Sequence, residues 1–280
     1  MTVFFVVVIF VGWYISFYYN SPGILYFAVI LSLVMNVVSY WNSDKIVMAI
    51  TGARPVAMEQ DPELFRIVEN LAITAGLPMP KLYVMDDPQP NAFATGRDKN
   101  HAAVAVTSGL RAILERSELE GVIAHELAHV GNRDTLLSTV VVVLVGLISI
   151  LADFFTRSLL WGRRGRDSRA GGALAIVGLV FVILSPIVAT LIQLAISRKR
   201  EFLADASVAL LTRYPEGLAS ALRKITAYQA PMRRANNAVA HLFISNPFGG
   251  KSVAGIAKLF MTHPPVEERI KALIGEGHNG

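Results

Sequence analysis

His125-Glu126-Leu127-Ala128-His129 tells more about this chain than any other five residues. Two histidines four residues apart lie about 40° apart around an α-helix of 3.6 residues per turn, so both imidazoles reach one metal ion from the same face. Glu126, about 100° round from His125, stands beside such an ion as a base. Only six histidines occur in the 280 residues, which makes composition a poor source of this spacing. Two histidines on an ordinary helix would instead leave polar groups in need of partners wherever the run was buried. Just upstream, Ser117-Glu118-Leu119-Glu120 reads as a capping box and predicts where the helix starts.

Outward from this stretch the chain is strongly apolar, 53% hydrophobic and only 17% charged. That is outside the range of ordinary soluble domains and predicts membrane residence. No charged side chain precedes Asp44, and two apolar stretches flank Asn20-Ser21-Pro22. Each is long enough to span a bilayer, which takes about 20 helical residues. The start lacks the basic region and small-residue cleavage site of a signal peptide, so an uncleaved anchor is expected. Uncharged runs recur at Leu136 to Ala152 and Ala170 to Ile196, the latter kinked by Pro186.

There is no cysteine, which excludes disulfides and leaves nitrogen and oxygen as the ligands of any zinc. The formal charge of +5 clusters near the ends of the apolar runs. Membrane topology explains that better than nucleic-acid binding. Gly250-Lys251-Ser252 resembles the end of a phosphate-binding loop, but the glycine that motif requires five residues before Gly250 is Ser245, so no nucleotide site is expected.

Between these landmarks, Asp61-Pro62-Glu63 predicts a helix start, and Leu64, Ile67, Val68 and Leu71 recur at helical spacing as far as Gly76. Lys81 to Met85 and His101 to Val106 read as strands, separated by the turn-rich Asp86-Asp87-Pro88-Gln89-Pro90. Further helices are expected over Ser197 to Asp205, from Tyr214-Pro215 to about Gln229, and from Pro264-Pro265 onward. Met232 to Met261 shows no clear period and reads as a candidate flap.

Catalytic zinc usually keeps three protein ligands, so two histidines are not enough. Glu201 is the best third ligand, with Asp205 four residues on and on the same helical face, where it can accept a hydrogen bond from a ligand imidazole. The other reading makes Glu201 and Asp205 a solvated acidic face beside Arg198 and Arg200. Topology supplies a check: Glu201 meets His125 only if the chain between them crosses the membrane an even number of times, and two apolar runs intervene.

The chain resembles the HtpX family of integral-membrane zinc metalloproteases. The likeness covers nearly its whole length and rests on the order of apolar segments, Asn91-Ala92-Phe93-Ala94-Thr95-Gly96, His125 to His129 followed by Asn132-Arg133-Asp134, Arg200-Glu201-Phe202-Leu203-Ala204-Asp205, and Thr262-His263-Pro264-Pro265. The resemblance implies an α+β, mainly helical fold: a zincin-like domain combined with four transmembrane or membrane-embedded helices. The expected division is a membrane hairpin at 1–43, the first part of the catalytic domain at 44–135, a second hairpin at 136–196 and the rest of the catalytic domain at 197–280. It further implies one zinc ion per chain on His125, His129 and Glu201, Glu126 as general base, and Asn91 to Gly96 as an edge strand to which a substrate backbone adds. In such a site His263 donates to a developing oxyanion or merely starts the last helix. Arg269 is a second candidate donor or a salt-bridge partner of Glu267 or Glu268.

The activity so implied is endoproteolysis of misfolded or damaged membrane proteins in stress-related quality control. The expected partners are protein or peptide substrates and the lipid bilayer. The expected place is the prokaryotic inner membrane with the catalytic domain facing the cytoplasm. Arg198-Lys199-Arg200 supports that orientation, whereas Arg157, Arg163, Arg164, Arg166 and Arg169 in the loop between the last two runs oppose it. Two other functions stay open: processing of prenylated peptides, and a non-catalytic zinc-binding membrane scaffold, against which Glu126 argues.

Overall fold

The structure, a computed structural model, describes residues 9–10, 12–14, 16–17, 20–139, 141–142, 197–236, 238–249 and 264–275. The apolar run 170–196, most of the run 136–152, the arginine-rich loop between them and His263 lie outside the described residues. The chain divides into two compact units, Met1–Asn42 with Val140–Leu191, and Ser43–Thr139 with Ile192–Gly280.

In the first unit, α1 (Pro22–Trp41) covers 20 residues without a charge, opening on a proline whose missing N–H costs a helix nothing at that position. The Asn42 N–H closes it on the Val38 carbonyl. Phe17, Tyr26, Phe27 and Ile30 are each more than 60% exposed, a surface that water does not favour. The side chains of α1 are described except at positions 35, 36 and 39. Among the described residues no helix is long and apolar enough to cross a membrane.

The second unit begins with α2 (Ser43–Thr51) and the short β1 (Arg54–Pro55), followed by α3 (Pro62–Ala75). As expected, Asp61 caps α3, its carboxylate accepting from the Leu64 N–H at 3.2 Å. Gly76, at φ 64°, ends the helix in the left-handed conformation that glycine adopts without strain. Then come β2 (Lys81–Met85), β3 (Ala92–Thr95) and β4 (Ala103–Thr107). The sheet order is β1-β2-β4-β3, with β2 and β4 parallel and the outer pairs antiparallel. The strand expected from His101 starts two residues later. Lys99–His101 form a 3₁₀ turn because the Asp98 carboxylate accepts from the Asn100 and His101 N–H groups.

After the short α4 (Ser108–Ile113), α5 (Arg116–Gly131) carries the histidine pair. Its start corrects the expected box at Ser117: Glu115 is the N-cap, and its N–H donates to the Glu118 carboxylate at 2.8 Å. Tertiary partners select Glu118 for this task, since Ser220 and Lys224 donate to it at 2.6 and 2.7 Å. Val122, Ile123, Ala124 and Leu127 are fully buried, so α5 is covered on almost every side and runs through the core. α6 (Arg198–Thr212) and α7 (Pro215–Ala227) pack against it, and α8 (Val266–Ile274) packs on both α6 and α7. The α5–α7 crossing depends on Gly121, where a Cβ would lie 2.7 Å from the Leu218 backbone nitrogen.

Candidate active site

One helical turn of α5 brings the His125 and His129 Nε2 atoms to 3.2 Å from each other. α6 presents Glu201 to both, with Oε2 3.5 Å from His125 Nε2 and Oε1 3.5 Å from His129 Nε2. His125 is fully buried and Glu201 nearly so, which excludes the solvated acidic face as an account of Glu201.

The outer nitrogens of the two rings are committed elsewhere. His125 Nδ1 lies 3.0 Å from Asp205 Oδ1, and His129 Nδ1 lies 3.0 Å from Asp134 Oδ2. An ionised carboxylate only accepts, so each Nδ1 is a protonated nitrogen and each Nε2 is turned to the centre of the site, that of His125 also 3.3 Å from Arg269 Nη2. Two imidazole nitrogens and a carboxylate thus converge in a buried space, an arrangement that favours a cation between them. A tetrahedral zinc ion with bonds of about 2.0–2.2 Å holds its ligands about 3.3–3.6 Å apart, and the observed separations of 3.2, 3.5 and 3.5 Å lie close to that range. His125, His129 and Glu201 form the one group of this kind among the described residues.

The electrostatics agree. Burial and the charge of Arg269 pull the His125 imidazole down, but its hydrogen bonds with Asp205 and Glu201 outweigh both and push it up to about 9. In the same pair burial raises the Asp205 carboxyl, while His125 and Arg269 outweigh it and hold the group at about 2. Without a metal, a proton supplies the positive charge the pocket demands.

Arg269 on α8 pairs with Asp205, not with Glu267 or Glu268. Its Nε donates to Oδ2 at 2.9 Å and its Nη2 to Oδ1 at 2.7 Å, a two-pronged grip from a fully buried side chain. Nη1 stands 3.9 Å from Glu201 Oε2. Burial lowers the Arg269 pKa, but Asp205, Glu201 and Glu126 raise it further, so the guanidinium stays charged. Glu126, the expected base, is 3% exposed. Of two residues that helical spacing did not single out, Asp134 stands against His129 and Arg200 is ion-paired with Asp134. The signal that finds Asp134 is a carboxylate just beyond the end of the histidine helix.

The expected substrate strand is β3, and it is an edge of the sheet. Its first part is partly occupied by the chain itself. The Ala92 carbonyl accepts from the Ile244 N–H at 3.0 Å, and the Asn91 side chain both accepts from the Ser245 N–H and donates to the Ser245 carbonyl. Gln89 donates to the Asn246 carbonyl and Asp87 accepts from the Arg233 N–H. The described part of the expected flap is therefore stitched to the loop before β3, through side-chain-to-backbone bonds that leave no periodic trace in a sequence. The Ala92 carbonyl faces away from β4, and strand alternation makes the Ala94 N–H and C=O the next pair to face outward. Phe93, which packs edge-on against Phe243, and Thr95, whose hydroxyl meets Thr139, anchor the strand from within. Gly96 follows with a backbone that leaves no room for a side chain, a Cβ there lying 2.4 Å from the His101 carbonyl oxygen.

Residues 58–276 match peptidase family M48. Over 270 residues the chain is 50% identical to a protein named Protease HtpX homolog from Caldanaerobacter subterraneus subsp. tengcongensis, covering 94% of this chain and 88% of that one. Proteins of the same name from Dictyoglomus thermophilum and Pyrococcus furiosus are 51% identical over 246 residues and 48% over 261. Those alignments cover 88% and 92% of this chain and 80% and 89% of the relatives. The fold is similar to that in the crystal structure of S. mikatae Ste24p, with a TM-score of 0.52 at 20% identity, covering 89% of this chain and 58% of that one.

Proposed function

Since this chain belongs to peptidase family M48 and, within it, to the HtpX proteases, we propose that it is a membrane-bound zinc endopeptidase that cleaves misfolded or damaged membrane proteins at the cytoplasmic face. The observation that carries the metal reading is the convergence of His125 Nε2, His129 Nε2 and the Glu201 carboxylate within 3.5 Å of one another. A zinc ion there would act as a Lewis acid on the scissile carbonyl and lower the pKa of a nearby water.

The chain's own residues do the rest. Glu126, one residue after His125 on the same helix, takes a proton from the attacking water on its carboxylate and returns it to the leaving amine. Asp205, gripped by Arg269, holds the His125 ring by its Nδ1 and so turns Nε2 toward the metal position. The outward-facing N–H and C=O of Ala94 pair with the substrate backbone, laying it along β3. In this reading the membrane is entered by segments 1–43 and 136–196, and the substrates are proteins that share that membrane.

Glu126→Gln is the test. Purified in detergent and loaded with zinc, the variant should bind one metal per chain as the parent does, yet cleave an unfolded model protein more than a hundredfold more slowly. Equal cleavage by both would remove Glu126 from the mechanism. Zinc bound by both with no cleavage by either would favour a non-catalytic metal scaffold.

A further inference from the structure

We propose that Asp134, itself steered by Arg200, is a positioning residue that fixes the His129 imidazole for the metal. The inference rests on the reading of His129 as a ligand. The local chain shows how Asp134 comes to be there. α5 ends at Gly131, the Asn132 N–H closes on the Ala128 carbonyl, and Arg133 takes the left-handed conformation at φ 62°. That reversal is uncommon for a residue with a side chain, and it turns Asp134 back toward the face of α5 that carries His129. Asp134 Oδ2 then lies 3.0 Å from His129 Nδ1.

Its other oxygen, Oδ1, stands 3.4 Å from Arg200 Nε. Arg200 immediately precedes Glu201 on α6, so two consecutive residues serve the two ends of the site. Glu201 faces the imidazole nitrogens, and Arg200 is ion-paired, without a hydrogen bond, to the carboxylate behind one of them. A tighter form of the arrangement stands at His125, where Asp205 meets Nδ1 and Arg269 donates two hydrogen bonds to Asp205. Each imidazole is thus backed by an aspartate and each aspartate by an arginine, drawn from different segments of the chain.

The two supports differ in burial. Arg269 is wholly buried, whereas the Arg200 side chain is 28% exposed. The Arg200–Asp134 contact is longer and less enclosed than the Arg269–Asp205 grip, and its loss should weaken the site without abolishing it. A carboxylate behind a ligand imidazole fixes the ring and raises its basicity, and removing one typically lowers metal affinity about 10–100-fold.

The experiment measures zinc affinity by chelator competition on the full chain in detergent, alongside the visible absorption of the cobalt-substituted protein. Asp134→Ala should bind zinc about 10–100-fold more weakly and shift the cobalt bands, Asp134→Asn should lose less, and Arg200→Ala should fall between the parent and Asp134→Ala. The double variant should be no weaker than Asp134→Ala alone, because Arg200 acts through Asp134. His129→Gln separates the premise from the proposal. If it keeps the parent's zinc affinity, the ligand assignment fails. If it loses zinc while both Asp134 variants bind as tightly as the parent with unaltered cobalt bands, the positioning role alone is overturned. Should Asp134→Ala lose its far-ultraviolet circular dichroism, Asp134→Asn and Arg200→Lys decide the matter on the same two readouts.

Discussion

At the scale of single residues, the site behaves as a buried place that requires positive charge. With His125 pushed up to about 9, zinc has to displace a proton at neutral pH. Apparent zinc affinity should rise about tenfold per pH unit up to about pH 9 and then level off, which chelator competition across a pH series would measure. A flat profile would mean that no proton occupies the pocket. The stability of the metal-free chain follows with the opposite slope. His125 sits above its ordinary 6.5, so its contribution is fully present below that value and is lost as pH rises toward 9. Asp205 sits below its ordinary 3.8, so its contribution is present above that value and is lost as pH falls toward 2. Melting of the chelator-treated protein in detergent should therefore drop between about pH 6.5 and 9, and zinc should erase the drop.

At the scale of elements, the crossing of α5 and α7 is where a small change has a large effect. Gly121→Ala places a methyl group against the Leu218 backbone, which has no flexible end to yield, so it should destabilise the fold by about 1–3 kcal/mol, read from denaturant unfolding. An unchanged midpoint would show that the two helices separate freely. The same elements show what the sequence could and could not reveal. α3 was legible at both ends because Asp61-Pro62 and Gly76 act through their own backbone. The start of α5 was misplaced because Ser220 and Lys224, about a hundred residues away, choose Glu118 over Glu120. The trio of His125, His129 and Glu201 was legible from helical spacing and membrane parity. Asp134 was not, because it reaches His129 across a left-handed turn that no period predicts. Neither was the docking of Ile244 and Ser245 on β3, which polar side chains and single backbone bonds secure.

At the scale of the whole molecule, every described residue of the site belongs to the unit Ser43–Thr139 with Ile192–Gly280. The proposed cytoplasmic orientation can be tested on a chain that has no cysteine of its own. Glu69→Cys, on the exposed side of α3, should escape a membrane-impermeant thiol reagent in intact cells and react once they are permeabilised. Labelling of intact cells would place the catalytic unit outside. Ser168→Cys, within the arginine-rich loop, reports in the same way on whether the second pair of apolar segments crosses. One further consequence concerns time. The fully buried grip on Asp205 comes from Arg269, 144 residues after His125. A polypeptide emerging from the ribosome thus possesses both histidines and the glutamate well before it possesses the guanidinium that grips the carboxylate behind His125. The surroundings of His125 are therefore completed last, when α8 has been made and packed at the far end of translation.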